Sequence, residues 1–264
     1  MLYSRIQWTL SGGDPIGQIL ANAWSRLKRK QLLFLYPLVV GILNVLAFLA
    51  LYSSLGSTLS WNAFAIANFN RWGYIQEHFQ QLLTPGLAMG VALGVGVLLC
   101  LALALVRAPF FRAVAGVGYP LAARSWATVA RLWLFYLLIY ALLFVIPVSF
   151  AAGSTANTIA SFAVIPVGVL IIFADYAVVF ENLWPAAAVK RSLHLLRRSW
   201  LLVFLVYAVS LLVWSVVAGL YGNYYTEGRQ IFFLLPPSQL LVEALITTVI
   251  DVVLIFAYDS LRSR

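Results

Sequence analysis

The chain has 264 residues, 63% of them hydrophobic and 9% charged, against roughly 45–50% and about 25% in a soluble domain. With a mean hydropathy of +0.95, any compact fold would carry a mostly apolar surface, which excludes a water-soluble globule and leaves lipid as the solvent. The net charge of +9 would suit nucleic acid in a soluble protein; in a membrane protein it raises the question of where the charges fall relative to the spans, and nucleic acid is not an expected partner.

The N-terminal stretch, residues 1–31, reads as a cytoplasmic amphipathic segment. Asp14 suits an N-cap and Pro15 the first helical position, while Ile16, Ile19, Leu20, Ala23 and Leu27 recur at spacings of three and four. Such a helix lies in the membrane interface. The first full-length apolar run, Leu32 to Leu51, follows directly; it has no small-residue cleavage site after a short core and reads as a signal anchor. Further runs long enough for a span, roughly 20 helical residues, lie at Gly86–Val106, Leu132–Ala152, Ile159–Phe180, Leu201–Leu220 and Gln239–Tyr258, making six in all. The fold expected is therefore all-α, a single polytopic membrane domain over residues 1–264.

Between the first two spans, the outer loop at 52–84 places Trp61, Phe64, Ala65, Phe69 and Trp72 on one helical face, as an aromatic belt at headgroup depth or a lid over an external opening. Gly86, Gly90 and Gly94 then form a small-residue face along the second span, suited to close approach of another helix inside the chain or in an oligomer. The region Phe111–Ala130 has basic residues, but Gly116, Gly118 and Pro120 interrupt its helical period. Ahead of the fifth span, Pro185 starts another amphipathic helix with Val189, Leu193, Leu196 and Trp200 on one face and Lys190, Arg191, His194, Arg197 and Arg198 on another arc. LKRKQLLF at 27–34 aligns with LRRSWLLV at 196–203, and VARLWL at 129–134 more loosely, so the chain reads as three units of interfacial helix, span out and span back.

Of the 17 Lys and Arg residues, 15 fall before the first span, between the second and third, between the fourth and fifth, or after the sixth. The positive-inside rule then puts both termini in the cytoplasm. The patches Arg26, Lys28, Arg29, Lys30 and Lys190, Arg191, Arg197, Arg198 are candidates for anionic lipid headgroups or a cytoplasmic partner, at about 1 kcal/mol per basic residue for lipid, beside their plain role in setting topology.

The stretch Glu181-Asn182-Leu183-Trp184-Pro185-Ala186-Ala187-Ala188-Val189-Lys190-Arg191-Ser192, running on to Arg198 and Trp200, and the ending Tyr258-Asp259-Ser260-Leu261-Arg262, resemble the membrane domain found with some glycerophosphoryl diester phosphodiesterases and in related multipass bacterial families. The resemblance covers about the last third of the chain and implies six spans with interfacial helices in a bacterial cytoplasmic membrane. The phosphodiesterase chemistry of that family belongs to a separate soluble barrel, so no catalytic residue carries over.

Ionisable groups inside spans are the strongest functional candidates, because they are expensive there. Glu243, Thr247 and Asp251 recur every four residues and form one stripe of the sixth span, while Asp175 and Glu181 stand toward the inner end of the fourth. They suit a proton or cation relay if water reaches them, or structural hydrogen bonding and pairing with Arg107 or Arg112. Enzyme templates are missing: the sequence has no GxSxG, HExxH or Walker-type lysine loop. Cys100 is the single cysteine, and His78 and His194 lie far apart, so neither a disulfide, a metal site nor a cofactor is expected. The expected function is that of a non-enzymatic inner-membrane protein, a subunit, assembly factor or scaffold working through other membrane subunits. The alternatives are a small transporter using the acidic stripe and an intramembrane enzyme acting on lipid.

Overall fold

The computed structural model describes residues 15–54, 86–116, 123–142, 155–198, 200–226 and 235–262, and these are helical with no strand among them. The expected Asp14 cap, most of the 52–84 loop and residues 117–122 lie outside the described residues.

Helix α1, Pro15–Arg29, buries Ile19 and Ala23 and leaves Leu20 and Trp24 exposed, so its inward stripe is narrower than the sequence pattern. The chain breaks at Lys30, makes a 3₁₀ turn over Gln31–Phe34 and enters α2, Leu35–Ser54. Pro37 sits in the first turn of α2, where its missing N–H removes no intrahelical bond. Helix α3, Leu87–Ala115, is 29 residues long, about 44 Å at 1.5 Å per residue, and so outlasts about 30 Å of hydrocarbon. It stops at Gly116, whose φ of 76° is the left-handed conformation a side chain resists. Helix α4 spans Ala123–Tyr140.

The next apolar segment is split. Helix α5, Thr155–Leu170, gives way to an irregular turn at 171–173 before the short α6, Ala174–Phe180. Helix α7, Pro185–Arg198, is amphipathic, followed by α8, Trp200–Thr226, and α9, Leu235–Arg262, whose Pro236 and Pro237 fall in its first turn.

Among the described residues, four stretches are long and apolar enough to cross a membrane: Gln31–Leu51, Met89–Ala115, Val203–Tyr221 and Pro237–Arg262. Where the sequence puts its third and fourth spans, the described residues form the shorter apolar helices Trp126–Tyr140 and Pro166–Phe180. Over its described residues the chain is thus all-helical, with the helices of a membrane protein.

Its densest core lies where α3 and α9 run toward their C-terminal ends. Phe110, Phe111 and Val114 of α3 meet Leu132 and Phe135 of α4, Phe173 just ahead of α6, Tyr176 of α6, Leu195 of α7, and Ile255 and Tyr258 of α9, all buried. Rings are stacked through it, with Tyr176 edge-on to Phe111 at 4.8 Å and Tyr258 5.9 Å from Phe173. In contrast, α8 buries only Val203 and Val217 among its described side chains of that size.

The inward face of α7 is Ala188, Ser192 and Leu195, with Val189 and Leu196 half-buried at its edge and Trp200 exposed. This inward face is offset from the apolar face of Val189, Leu193, Leu196 and Trp200 read from the sequence, and Ser192 is the reason for the offset. The Phe173 N–H donates to Ser192 Oγ at 3.2 Å, and that hydroxyl donates to the Leu170 carbonyl at 2.8 Å. One side chain on α7 thereby replaces the backbone bonds that the α5–α6 break gives up, which lets a non-helical turn exist in an apolar setting.

Candidate functional site

Beside that break, four helices bring together a buried polar cluster. Arg107 enters from α3, Tyr136 from α4, Asp175 and Tyr176 from α6, and Asp251 from α9. One guanidinium nitrogen of Arg107 donates to both carboxylate oxygens of Asp251, at 3.0 and 3.2 Å, and the Tyr176 hydroxyl donates to Asp251 Oδ1 at 3.1 Å. The second carboxylate, Asp175, stands 3.8 Å from the same Arg107 nitrogen, and its Oδ1 accepts the Tyr176 N–H at 2.9 Å. The guanidinium lies 5.1 Å from the Phe111 ring centre and 6.0 Å from that of Tyr136, within reach of cation–π attraction. Asp251 is 6% exposed and Tyr136 9%, and the Tyr136 hydroxyl is the buried side-chain polar atom, among the described residues, that has no hydrogen-bond partner.

Counting back from the ends of α3 and α9, Arg107 and Asp251 lie about 12 Å and about 16 Å inside the bundle at 1.5 Å per residue. A cavity of about 50 Å³ opens against them, walled by Tyr36, Pro37, Val40, Val106, Phe110 and Thr247. It has room for a few water molecules, since one needs about 10–15 Å³ of such space.

The acidic stripe of α9 is therefore divided in use. Asp251 anchors the cluster, Thr247 lines the cavity, and Glu243 accepts a 2.7 Å bond from Gln239 one turn earlier. Of the two inner-face acids, Asp175 joins Asp251, but Glu181 belongs to a second knot. It accepts from Arg191 Nε at 3.1 Å and from the Tyr258 hydroxyl, tying α7 and α9 to the end of α6. A third set pins the α6–α7 turn: Arg112 donates to Thr128 at 3.4 Å, Thr128 to the Asn182 side chain at 3.3 Å, and Arg131 to the Asn182 carbonyl. Asn182 itself has φ 57°, a left-handed conformation that Asn tolerates better than most residues.

The basic patches are only partly available to ligands. Lys30 Nζ donates to the Ala113 carbonyl at 3.1 Å, and the Arg26 guanidinium lies 2.9 Å from where a Cβ on Gly116 would stand, so both cations sit at the C-terminal end of α3, the negative pole of its dipole. Burial there, and then the neighbouring Arg29, lower the Arg26 pKa. Arg191 is held by Glu181, and Lys28 lies 5.2 Å over Trp24. Arg29, Lys190, Arg197 and Arg198 are exposed.

Gly86 precedes α3, and Gly90 and Gly94 face open space: a Cβ on either would meet nothing described within 4 Å. The close approach on this helix is at Gly96, where a Cβ would stand 2.5 Å from the Tyr140 ring. Sequence reasoning missed Tyr136, Tyr176, Ser192 and Gly96. Tyr176 had a signal in standing next to Asp175; Ser192 had none, because its need arises from a break on another helix.

Compared with protein-family models, curated proteins and solved structures, the chain matches none.

Proposed function

We propose that this chain is a six-span, non-enzymatic membrane protein that works through partner proteins in the bilayer, with both termini on the cytoplasmic side of a bacterial inner membrane. What supports this reading is that the charged groups of its interior bind one another, around a cavity of about 50 Å³ that admits water but no organic solute. Meanwhile α8 turns Leu201, Phe204, Leu205, Leu212 and Val216 outward, giving an extended apolar side that a partner helix can cover. In lipid such contact is driven by packing and not by water exclusion, so a helix with little packing of its own has packing energy still to gain. The exposed Arg29, Lys190, Arg197 and Arg198 would gather anionic lipid on the same side as both termini. Six spans are also what the resemblance of Glu181–Trp200 implies, with the split α5–α6 segment as the fourth, and the repeat of 27–34 at 196–203 and 129–134 groups them into three units.

The test is a photo-crosslinking residue at Leu212 in the native membrane, followed by mild-detergent purification and mass spectrometry. The expected result is a discrete protein adduct, lost when the probe is moved to buried Val203. Lipid adducts alone, from a chain that purifies without companions, would overturn the reading.

A second reading is proton-coupled transport, favoured by one observation: a helix broken at membrane depth beside buried ionisable groups is how many transporters build an ion site. A proton flux in proteoliposomes that Asp251→Asn removes while the protein stays folded would establish it in place of the first.

A further inference from the structure

The cluster contains two carboxylates and one guanidinium, and its charges do not balance. From α3 it is faced by Arg107, from α4 by Tyr136, from α6 by Tyr176 and from α9 by Asp251; α7 contributes uncharged Ser192 at the nearby break, its Arg191 being bound to Glu181 at the far end of α6. With both acids ionised the site would hold one uncompensated negative charge, a state that a low-dielectric interior penalises heavily. Among the described residues no three His, Cys, Asp or Glu side chains stand together as metal ligands, and a hard cation wants six or more oxygens where Arg107 already occupies the space between the two acids. The remaining species able to neutralise the site is a proton.

We propose that the Asp175–Asp251 pair is a proton-binding site, holding one exchangeable proton that resides on Asp175 and is hydrogen-bonded to the Tyr136 hydroxyl. One proton accounts for two observations together, the excess charge and the orphaned hydroxyl. Asp251 is the partner that stays ionised, because it already accepts from Arg107 and from Tyr176. Exchange runs through the cavity, which touches Asp251 and Arg107 but not Asp175. On loading, a hydronium ion in the cavity passes its proton by way of Asp251, which carries it only in transit, to Asp175: one O–H bond of the hydronium breaks, one O–H bond on Asp175 forms and a water is left, and release runs the same steps in reverse. This inference stands whether or not the chain has protein partners.

The test is infrared spectroscopy of the full chain in lipid nanodiscs at neutral pH, in H₂O and in D₂O. The expected wild-type spectrum has a protonated-carboxyl stretch that shifts in D₂O and disappears as the pH is raised. That band should vanish in Asp175→Asn. It should vanish also in Asp251→Asn, because Asp175 then ionises to balance Arg107, and it should persist in Asp259→Asn, whose partner is Arg262. Tyr136→Phe keeps the packing and should raise the frequency of the band, since the acid loses its acceptor; this variant decides the matter if Asp175→Asn does not fold. The proposal is overturned by the absence of a titrating band, by a band that survives Asp251→Asn, or by an unshifted band in Tyr136→Phe.

Discussion

Replacing Asp251 by leucine removes the acceptor of three hydrogen bonds, two from Arg107 and one from Tyr176. Breaking a buried ion pair from one side costs about 3–5 kcal/mol, because the surviving charge is left without compensation. Here Asp175 stands 3.8 Å from the same guanidinium and can take over part of the pairing, which puts the expectation at the low end, about 3 kcal/mol. Asp251→Asn keeps an acceptor oxygen for Tyr176 or Arg107, and Asp175 can supply the lost charge, so its cost should be only about 1 kcal/mol. The pair is isolated by a double-mutant cycle: Arg107→Leu with Asp251→Leu leaves neither charge behind and should be less destabilised than the sum of the two single variants by about 2 kcal/mol. Unfolding by SDS in mixed micelles, followed by tryptophan fluorescence, measures these differences. Additivity within about 0.5 kcal/mol would refute the pairing, and so would an Asn variant as damaged as the Leu variant.

Ser192→Ala removes the hydroxyl that bridges the Leu170 carbonyl and the Phe173 N–H, and should cost about 1–3 kcal/mol in the same assay; a neutral result would mean the break at 171–173 is satisfied otherwise. Gly96→Ala drives a methyl group into the Tyr140 ring and should destabilise by about 1–3 kcal/mol, while Gly90→Ala, where the space is open, should not destabilise; equal effects at both would sink this placement. A cysteine introduced after Arg262, with Cys100 replaced by Ala, should resist an impermeant thiol reagent in intact cells, and rapid labelling would reverse the proposed orientation.

Much of the helix inventory was legible in the sequence, because a run such as Leu32–Leu51 has to satisfy only length and apolarity, and the structure forms its apolar helix over Gln31–Leu51. The split of Ile159–Phe180 was not, since Ile171, Ile172 and Phe173 are as apolar as any spanning residues. What allows the split is a hydroxyl some twenty positions further on, and hydropathy averages carry no trace of it. Arg107 as a partner for an acid of the sixth span was among the expectations, and geometry selects it over Arg112, which instead turns to Thr128. The stripe at 243, 247 and 251 is real as a helical register, yet its members do different work, because neighbouring helices approach Asp251 and Gln239 reaches Glu243. The tyrosines escaped notice since a phenol is at home in an apolar run and declares itself only by what lies opposite.

The contact of Lys30 and Arg26 with the end of α3 bears on how the chain is threaded into its membrane. Positive-inside behaviour treats the basic residues flanking a span as interchangeable, so that deleting any one should weaken the orientation signal by a similar amount. In this protein they are not equivalent. Lys28 lies over Trp24 of its own helix and Arg29 is exposed, whereas Lys30 closes the Ala113 carbonyl and Arg26 lies against Gly116, more than eighty residues later in the chain. During synthesis Lys28 and Arg29 can bias insertion before α3 exists, while Lys30 and Arg26 can lock the N-terminal arm in place only once Ala113 and Gly116 have been made. Neutralising Lys28 should therefore shift a topology reporter fused after the first span, while neutralising Lys30 should in addition leave fully inserted chains whose N-terminal arm is open to protease.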